Sequence, residues 1–171
     1  MFKVKNKKTN ELVQVLGTHC DEYGKAWFLV WEQDAFRWQP GDNFVPPNYV
    51  RKYKWIVAGS RDFQNYPLLC NELDKIKDSI KEIVCGEARG ADTLGRTYAY
   101  DNAIPIKSFA ANWAAYGKSA GFVRNYQMAE YADAAIIFWD GVSPGSKHMI
   151  EVMKNLKKDV KVIRYDQQGI D

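Results

Sequence analysis

The sequence predicts an α/β protein in which a parallel sheet flanked by helices follows a small β-rich region. Residues 1–50 carry short aromatic and β-branched segments, a composition typical of strands. From residue 51 onward, apolar segments alternate with helical patterns, which indicates a parallel sheet with right-handed crossovers. Three of the predicted strands end in polar loops that contain glycine, and ligands of open α/β sheets bind at such loops.

We predict two domains, a β-rich module over residues 1–50 and a parallel-sheet domain over residues 51–171. Segments 12–16, 26–31 and 36–38 are predicted strands, and they suit a small meander or a partly closed SH3-like barrel. The aromatic side chains of this module have two interpretations, a compact core or an exposed patch for a partner. They are Trp27, Trp31, Phe36 and Trp38.

The second domain shows strands and helices in alternation. Short, largely apolar segments predict strands at 54–58, 83–85, 104–109 and 160–163. The continuous apolar run at 134–139 predicts a strand that is buried on both faces. Apolar residues at helical spacing predict helices at 67–80, 91–100, 123–131 and 145–156. A polar insert over 112–121 separates the third strand from the third helix.

Composition excludes several classes of protein. The 171 residues carry a net charge of +3, and the first fifty are balanced, so charge gives little support to nucleic-acid binding. The sequence has no run of membrane-spanning length and no signal-peptide pattern at its start. Its three scattered cysteines are typical of reduced thiols. We therefore expect a cytoplasmic protein without a membrane partner.

The first polar loop offers Gly59, Ser60 and Arg61 at the end of a predicted strand. Glycine allows close backbone approach to a ligand, and arginine can bind a phosphate in bidentate fashion. The alternative is a surface ion pair between Arg61 and Asp62, which would contribute little.

The second loop contains Gly86, Arg89, Gly90 and Asp92, followed by a predicted helix. Arg89 is a candidate phosphate ligand. Asp92 is expected either to stabilise the first helical turn or to accept hydrogen bonds from ribose hydroxyls.

Outside the three loops, Arg124 and Asn125 form a further candidate segment, which follows Lys118 and two small residues. Trp113, Tyr116 and Phe122 nearby are candidates for base stacking or for covering the sheet edge.

The third loop places two basic side chains in the first turn of a predicted helix, Lys147 and His148. Cations there oppose the helix dipole by ~0.3–1 kcal/mol, and a bound anion would reverse that penalty. The alternative is a mildly unfavourable surface turn capped by Ser143 or Ser146. The candidate ligand-binding residues of this loop are Asp140, Gly141, Ser143, Gly145, Ser146 and Lys147.

Several familiar sites are missing from the sequence. It lacks a nucleophile elbow and a Walker-type phosphate loop. No Cys/His cluster has the spacing of a zinc site, and two distant histidines offer no triad. We accordingly predict no metal and no cofactor, and the sequence names no catalytic residue.

Motifs from the first loop to the third resemble one family. They are Val57-Ala58-Gly59-Ser60-Arg61-Asp62-Phe63, Gly86-Glu87-Ala88-Arg89-Gly90-Ala91-Asp92, Trp113, Tyr116-Gly117-Lys118-Ser119-Ala120-Gly121, Arg124-Asn125, Met128-Ala129 and Phe138-Trp139-Asp140-Gly141. Over residues 52–165 the chain resembles the YspA/cpYpsA-related domain of the SLOG superfamily, which is often found in bacteriophage proteins. The resemblance implies a Rossmann-like fold, a nucleotide-like ligand at these loops, and association into at least a dimer.

The resemblance also bears on catalysis. The superfamily includes the LOG phosphoribohydrolases, which use an Arg-Lys pair and a glutamate. Here Arg124 matches the arginine, Asn125 replaces the lysine, and Met149 stands at the glutamate position. Without that carboxylate, the oxocarbenium-like transition state of N-glycosidic cleavage loses its stabiliser. Glu87, Asp92 and Asp140 are the candidate substitutes.

The favoured hypothesis is a binder of an ADP-ribose-like or cyclic-nucleotide signal, and a concrete version is a phage protein that sequesters a host immune signal. In it, Arg61, Arg89, Arg124 and Lys147 take phosphates, while Asp92 and Asp140 hold ribose. The alternative is an enzyme that cleaves such a ligand, a nucleotide N-glycosidase or a phosphodiesterase. Nucleic-acid binding through the β-rich module is a weaker third hypothesis, because it needs a basic groove.

Overall fold

The computed structural model describes residues 1–165, which fall into two compact units, Met1–Val50 and a second unit that begins at Arg51. The predicted fold class is confirmed. The first unit is an antiparallel sheet, and the second is a parallel sheet flanked by helices. Within residues 1–165, no helix combines the length and the apolar character needed to cross a bilayer.

The first unit has five strands in the order β4-β3-β2-β1-β5. They are β1 (Phe2–Asn6), β2 (Leu12–Cys20), β3 (Ala26–Glu32), β4 (Ala35–Pro40) and β5 (Phe44–Val45). A 3₁₀ turn at Gly41–Asn43 joins the last two strands. Neither β1 nor β5 was predicted, although Phe2 and Val4 of β1 alternate with lysines as in a half-buried strand; β5 has only two residues. The core of this unit is Val4, Val15, Val30 and Phe44.

The aromatic side chains of the first unit are mostly outside that core. Trp31, Phe36 and Trp38 are 53%, 62% and 48% exposed. Trp31 and Phe36 pack edge to face with ring centroids 4.6 Å apart. The interpretation of these three as core residues is therefore wrong, since aliphatic side chains and Phe44 fill the small interior instead.

Within residues 51–165, the second unit has five strands and five helices. Its strands are β6 (Tyr53–Gly59), β7 (Ile80–Cys85), β8 (Ile106–Ser108), β9 (Ala134–Trp139) and β10 (Asp159–Arg164). Its helices are α1 (Tyr66–Asp74), α2 (Ala91–Asp101), α3 (Trp113–Tyr116), α4 (Ala120–Tyr131) and α5 (Pro144–Asn155). All pairings in this sheet are parallel.

Several boundaries differ from the prediction. The helix expected over 67–80 ends at Asp74, and a 3₁₀ turn at Lys77–Ser79 leads into β7. Ile80 therefore opens a strand, where it is buried and pairs with Tyr53. Periodicity alone could not separate these states, because an isoleucine at helical spacing also suits a strand. The polar insert contains α3, and α4 begins at Ala120.

Both faces of the sheet are covered by helices. Helices α4 and α5 contribute Met128, Ala129, Met149 and Met153 to one core cluster. Helices α1 and α2 contribute to a second cluster, with Leu69, Leu73, Tyr98 and Ala99. Strand β9 is buried over Ala134–Phe138 because it lies inside the sheet and is covered on both faces.

The strand order is β10-β9-β6-β7-β8. The chain runs from β6 outward through β7 to β8, then returns to place β9 on the other side of β6. This reversal of direction makes the gap between β6 and β9 a topological switch point, where open α/β sheets bind ligands beyond the carboxyl ends of the strands.

Candidate functional site

A cavity of about 360 Å³ lies beyond the carboxyl ends of β6 and β9. Four parts of the second unit form its wall: the β6–α1 loop, the β7–α2 segment, the α3–α4 region and the start of α5. Its volume is within the range of small-molecule sites. The lining residues are Ala58, Gly59, Ser60, Arg61, Asp62, Ala88, Asp92, Trp113, Lys118, Gly121, Phe122, Arg124, Asn125, Met128, Ser143, Pro144, Gly145, Ser146 and Met149.

The β6–α1 loop is fixed against β9. The Ser60 N–H donates to the carbonyl oxygen of Phe138 at 2.9 Å, and the Ser60 Oγ accepts from the Asp140 N–H at 3.1 Å. A Cβ on Gly59 would collide with the Phe138 carbonyl oxygen and lie 2.9 Å from the Cβ of Ala91. The position therefore requires glycine, because two backbones and a helix start meet there.

The β7–α2 loop packs directly on the β6–α1 loop. Gly90 has φ +76°, and a Cβ there would lie 2.6 Å from the Arg61 carbonyl oxygen. The Asp92 carboxylate accepts hydrogen bonds from the N–H of Gly86 at 2.9 Å and of Ala88 at 3.5 Å. A single buried carboxylate thus shapes the loop on which Gly86, Arg89 and Gly90 lie.

Arg124 and Asn125 connect this loop to the start of α5. The Arg124 guanidinium donates to the Gly86 carbonyl oxygen, and its Nε donates to the Asn125 Oδ1 at 3.3 Å. The buried Asn125 amide donates to the Gly145 carbonyl oxygen at 3.0 Å. Two neighbouring residues on α4 therefore bring the second and third loops to one cavity.

The third loop is organised by Asp140. Its carboxylate accepts from the N–H groups of Val142 (3.0 Å) and Ser143 (2.8 Å) and from the Ser143 hydroxyl (2.5 Å). Burial opposes ionisation of Asp140, but the Ser143 and Val142 hydrogen bonds outweigh it and lower its pKa to about 2. The Ser143 hydroxyl donates to Asp140 and makes no capping hydrogen bond to α5, which corrects the capping role that the sequence suggested.

Ser146 has a buried hydroxyl in the cavity wall. The residue is only 5% exposed, and within residues 1–165 its Oγ has no hydrogen-bond partner. Among the described side chains none caps the N-terminus of α5, so Ser146 does not take that role either. A buried hydroxyl without a partner is costly, and it lies beside backbone N–H groups at the positive end of a helix.

The two basic residues in the first turn of α5, Lys147 and His148, contribute less positive charge to the cavity than the sequence suggested. Lys147 does not line the cavity, and its Nζ lies 3.9 Å from Glu151 one turn along the exposed face. Burial lowers the pKa of His148, with Glu151 opposing that shift, so the neutral imidazole is favoured. His148 packs against Phe122 with ring centroids 4.5 Å apart.

Asp92 is the buried carboxyl group of the cavity, with only 3% of the residue exposed. Burial raises its pKa, while the nearby Arg124 guanidinium and the two backbone N–H donors act in the opposite direction. The net effect of its surroundings is a raised pKa, so at a given pH Asp92 is protonated to a greater extent than an exposed aspartate.

Nine of the fifteen predicted ligand-binding residues line the main cavity. They are Gly59, Ser60, Arg61, Asp92, Arg124, Asn125, Ser143, Gly145 and Ser146. Gly86 and Arg89 line a smaller adjoining cavity. Gly90, Asp140, Gly141 and Lys147 line neither: Gly90 and Asp140 shape the loops, and a Cβ on Gly141 would meet the Arg164 guanidinium.

Met128 and Met149 were connected with the site only through the family resemblance, and the structure places both in the apolar floor of the cavity, where Met149 is buried. Their spacing indicates the same position, because Met128 follows Arg124 by four residues and Met149 follows Ser146 by three. Residues at these spacings share a helix face, so each methionine lies on the face that carries a polar residue of the site. Within residues 1–165, no cluster of three or more His, Cys, Asp or Glu side chains is arranged to hold a metal ion.

Comparison with known proteins gives one match. Residues 54–116 match the family model described as YAcAr, the YspA, cpYpsA-related SLOG family. This confirms the resemblance that the sequence motifs predicted, over a span that runs from β6 through α3. Neither the curated proteins nor the solved structures contain a match to the chain.

Proposed function

We propose a function for this chain on the premise that its residues 54–116 belong to the YspA, cpYpsA-related SLOG family. Membership indicates a nucleotide-related ligand-binding or ligand-modifying function. Our proposal is narrower: the main cavity binds a nucleotide-derived small molecule, either ADP-ribose-like or a cyclic nucleotide signal, and holds it without turnover.

The observation that carries this proposal is the unpartnered Ser146 hydroxyl at the start of α5. After rotation of the Ser146 side chain about χ1, a phosphate oxygen in the cavity would accept a hydrogen bond from this hydroxyl and from the N–H groups of the first helical turn. The positive end of the twelve-residue helix would add a favourable electrostatic contribution. A phosphate would therefore remove the cost of the unpaired group.

The other cavity residues suit the rest of such a ligand. Arg61 and Arg124 supply guanidinium groups for phosphate oxygens, and Trp113 and Phe122 supply aromatic surface for a base. Both N–H groups that Asp92 binds donate to its Oδ2, which leaves Oδ1 for a ribose hydroxyl. We assign Asp140 to holding the third loop, because its oxygens already accept three hydrogen bonds there.

Binding without turnover is favoured by the residue at position 149. Met149 lies in the cavity wall at the position where LOG enzymes have a glutamate, so the carboxylate of that mechanism is missing. Since the resembling domains are often found in bacteriophage proteins, we propose sequestration of a host immune signal as the biological role. We also propose that the protein is a homo-oligomer in the cytoplasm.

Native mass spectrometry with nucleotide extracts tests this proposal, because it reports the ligand mass and the subunit number together. We expect a bound nucleotide-derived molecule that is recovered unchanged after denaturation. Arg124→Ala should abolish its capture, whereas Lys154→Ala, which removes the same charge in the last turn of α5 and outside the cavity, should not. Recovery of a free base or a sugar phosphate would refute binding without turnover.

A second candidate function is a nucleotide N-glycosidase, acting as a phosphoribohydrolase, or a phosphodiesterase. The observation that favours it is Asp92, a buried cavity carboxyl group with a raised pKa, because such groups serve as general acids. If this function is correct, product should accumulate with the wild type and be lost in Asp92→Ala. Turnover that survives in both Asp92→Ala and Asp140→Ala would exclude the mechanism.

A further inference from the structure

A second cavity of about 340 Å³ adjoins the main one near the end of β7. The two cavities share four lining residues, Arg61, Ala88, Trp113 and Arg124. Because these four residues line both cavities, the two cavities adjoin, and a single extended ligand can occupy both. Trp113, which is 54% exposed, offers an aromatic surface at that boundary.

The second cavity is rich in positive charge. Arg61, Arg89 and Arg124 line it, whereas Glu87 is the one carboxylate among its described lining residues. Arg89 lies 3.9 Å from Asp62, but both side chains are more than three quarters exposed, so this pair competes only weakly with a bound anion. Guanidinium groups form bidentate, charge-assisted hydrogen bonds with phosphates.

The loop that carries these charges is held in a defined shape. Glu87 has φ +58°, a left-handed conformation that costs a non-glycine residue ~1–3 kcal/mol. The hydrogen bonds from Gly86 and Ala88 to Asp92 hold the loop on either side of Glu87. The Arg124 guanidinium is bonded to the Gly86 carbonyl oxygen, so its position on the shared boundary is fixed before a ligand arrives.

We propose that the second cavity is an anion subsite for the same ligand. The ligand is then larger than a nucleoside monophosphate and carries a second anionic group. Arg89 binds that group, and Arg61 and Arg124 contact the ligand where it passes between the cavities. This inference rests on the proposed function, because it assumes that the first phosphate lies at the start of α5.

Two ligand chemistries satisfy this requirement, a phosphoanhydride that joins two sugars and a nucleotide with two separate phosphates. Calorimetry with three probes at one fixed salt concentration tests the subsite: AMP, ADP-ribose and adenosine 3′,5′-bisphosphate. We expect at least one of the two larger probes to bind tenfold or more tightly than AMP, and the tighter of them identifies the chemistry.

Arg89→Ala should remove that advantage and leave the Kd for AMP within twofold of the wild type. Lys154→Ala is the matched control, because it removes one exposed positive charge in the last turn of α5, outside both cavities, and should leave all three affinities unchanged. Circular dichroism checks that both variants are folded.

The outcomes separate the two proposals. If AMP binds but neither larger probe binds more tightly, the second subsite is refuted and the proposed function stands. Equal weakening of all probes by Arg89→Ala would likewise refute the subsite, because Arg89 would then act through general charge. If no probe binds to the wild type, both proposals fail for these ligand classes.

Discussion

The Asp92 carboxylate accepts a 2.9 Å hydrogen bond from the backbone N–H of Gly86, although Asp92 is almost completely buried. A Cβ on Gly86 would lie 2.8 Å from Asp92 Oδ2 and would collide with the Arg124 guanidinium. The hydrogen bond between Gly86 and Asp92 thus joins the end of β7 to the first turn of α2. The surrounding atoms leave no space for a side chain at position 86.

The burial of Asp92 predicts that the stability of Asp92→Asn, relative to the wild type, depends on pH. The raised pKa of Asp92 in the folded state contributes stability below its unfolded pKa, and this contribution is lost as the pH rises through the folded pKa. The amide oxygen of asparagine can still accept the Gly86 hydrogen bond, and because asparagine does not titrate, its contribution to stability does not change with pH. Urea denaturation from pH 4 to pH 8 should show the variant gaining stability relative to the wild type as the pH rises. A constant difference would contradict the raised pKa.

Asp140 should behave in the opposite way. Its pKa is lowered to about 2, so it contributes stability above its unfolded pKa, and that contribution is lost as the pH falls toward 2. Asp140→Asn should therefore destabilise the protein at pH 7, by ~1–3 kcal/mol for the weakened hydrogen bonds. The deficit relative to the wild type should shrink in acid. Chemical denaturation at pH 7 and pH 3 measures it, and an equal deficit at both values would exclude ionic hydrogen bonding as its cause.

Ser146→Ala should separate stability from binding. Because its buried hydroxyl has no partner within residues 1–165, its removal should leave the free energy of unfolding unchanged or raise it by ~1 kcal/mol. The same change should weaken binding of AMP several-fold, since a ligand hydrogen bond is lost. Thermal unfolding and calorimetry of one preparation test both effects. Ser143→Ala is a useful comparison, because it removes a hydroxyl that is already bonded to Asp140.

Gly59→Ala should be strongly destabilising. The added methyl group would collide with the Phe138 carbonyl oxygen and press on Ala91, and neither backbone can move without disturbing the sheet. We expect a loss of ~1–3 kcal/mol or more in the free energy of unfolding. Gly121→Ala is the control, because its nearest neighbour would be a Trp113 ring atom at 3.9 Å and alanine is the better helix former at the start of α4. Equal stability of the two variants would mean that the β6–β9 contact is looser than the structure indicates.

Much of the second unit was accessible from sequence. The apolar run of β9 and the glycines at 59, 86 and 90 mark a strand and close backbone contacts, both of which depend on local composition. The loops could be predicted to meet because parallel strands share one edge. The confirmed SLOG motifs lie within residues 54–116 and include two of these loops.

The directions of individual side chains were not accessible. Asp140 and Lys147 looked like ligand contacts because they follow a strand and open a helix. Yet Asp140 accepts hydrogen bonds from its own loop, and Lys147 extends along the outer face of α5 toward Glu151. Side-chain rotamers and competing partners decide these outcomes, and neither is encoded in spacing. The unpartnered state of Ser146 is likewise a property of its surroundings in three dimensions.

The pairing of β6 with β9 has a consequence for synthesis of the protein. Trp55 pairs with Ala134, so the first strand of the parallel sheet must wait for a segment that the ribosome makes much later. Contacts of such long sequence separation form slowly, and the apolar edge of β6 is exposed to other chains in the meantime. Nascent chains that stop before α5 lack the first turn of that helix, which is the proposed phosphate site. We therefore expect only chains that have been translated beyond α5 to bind the ligand.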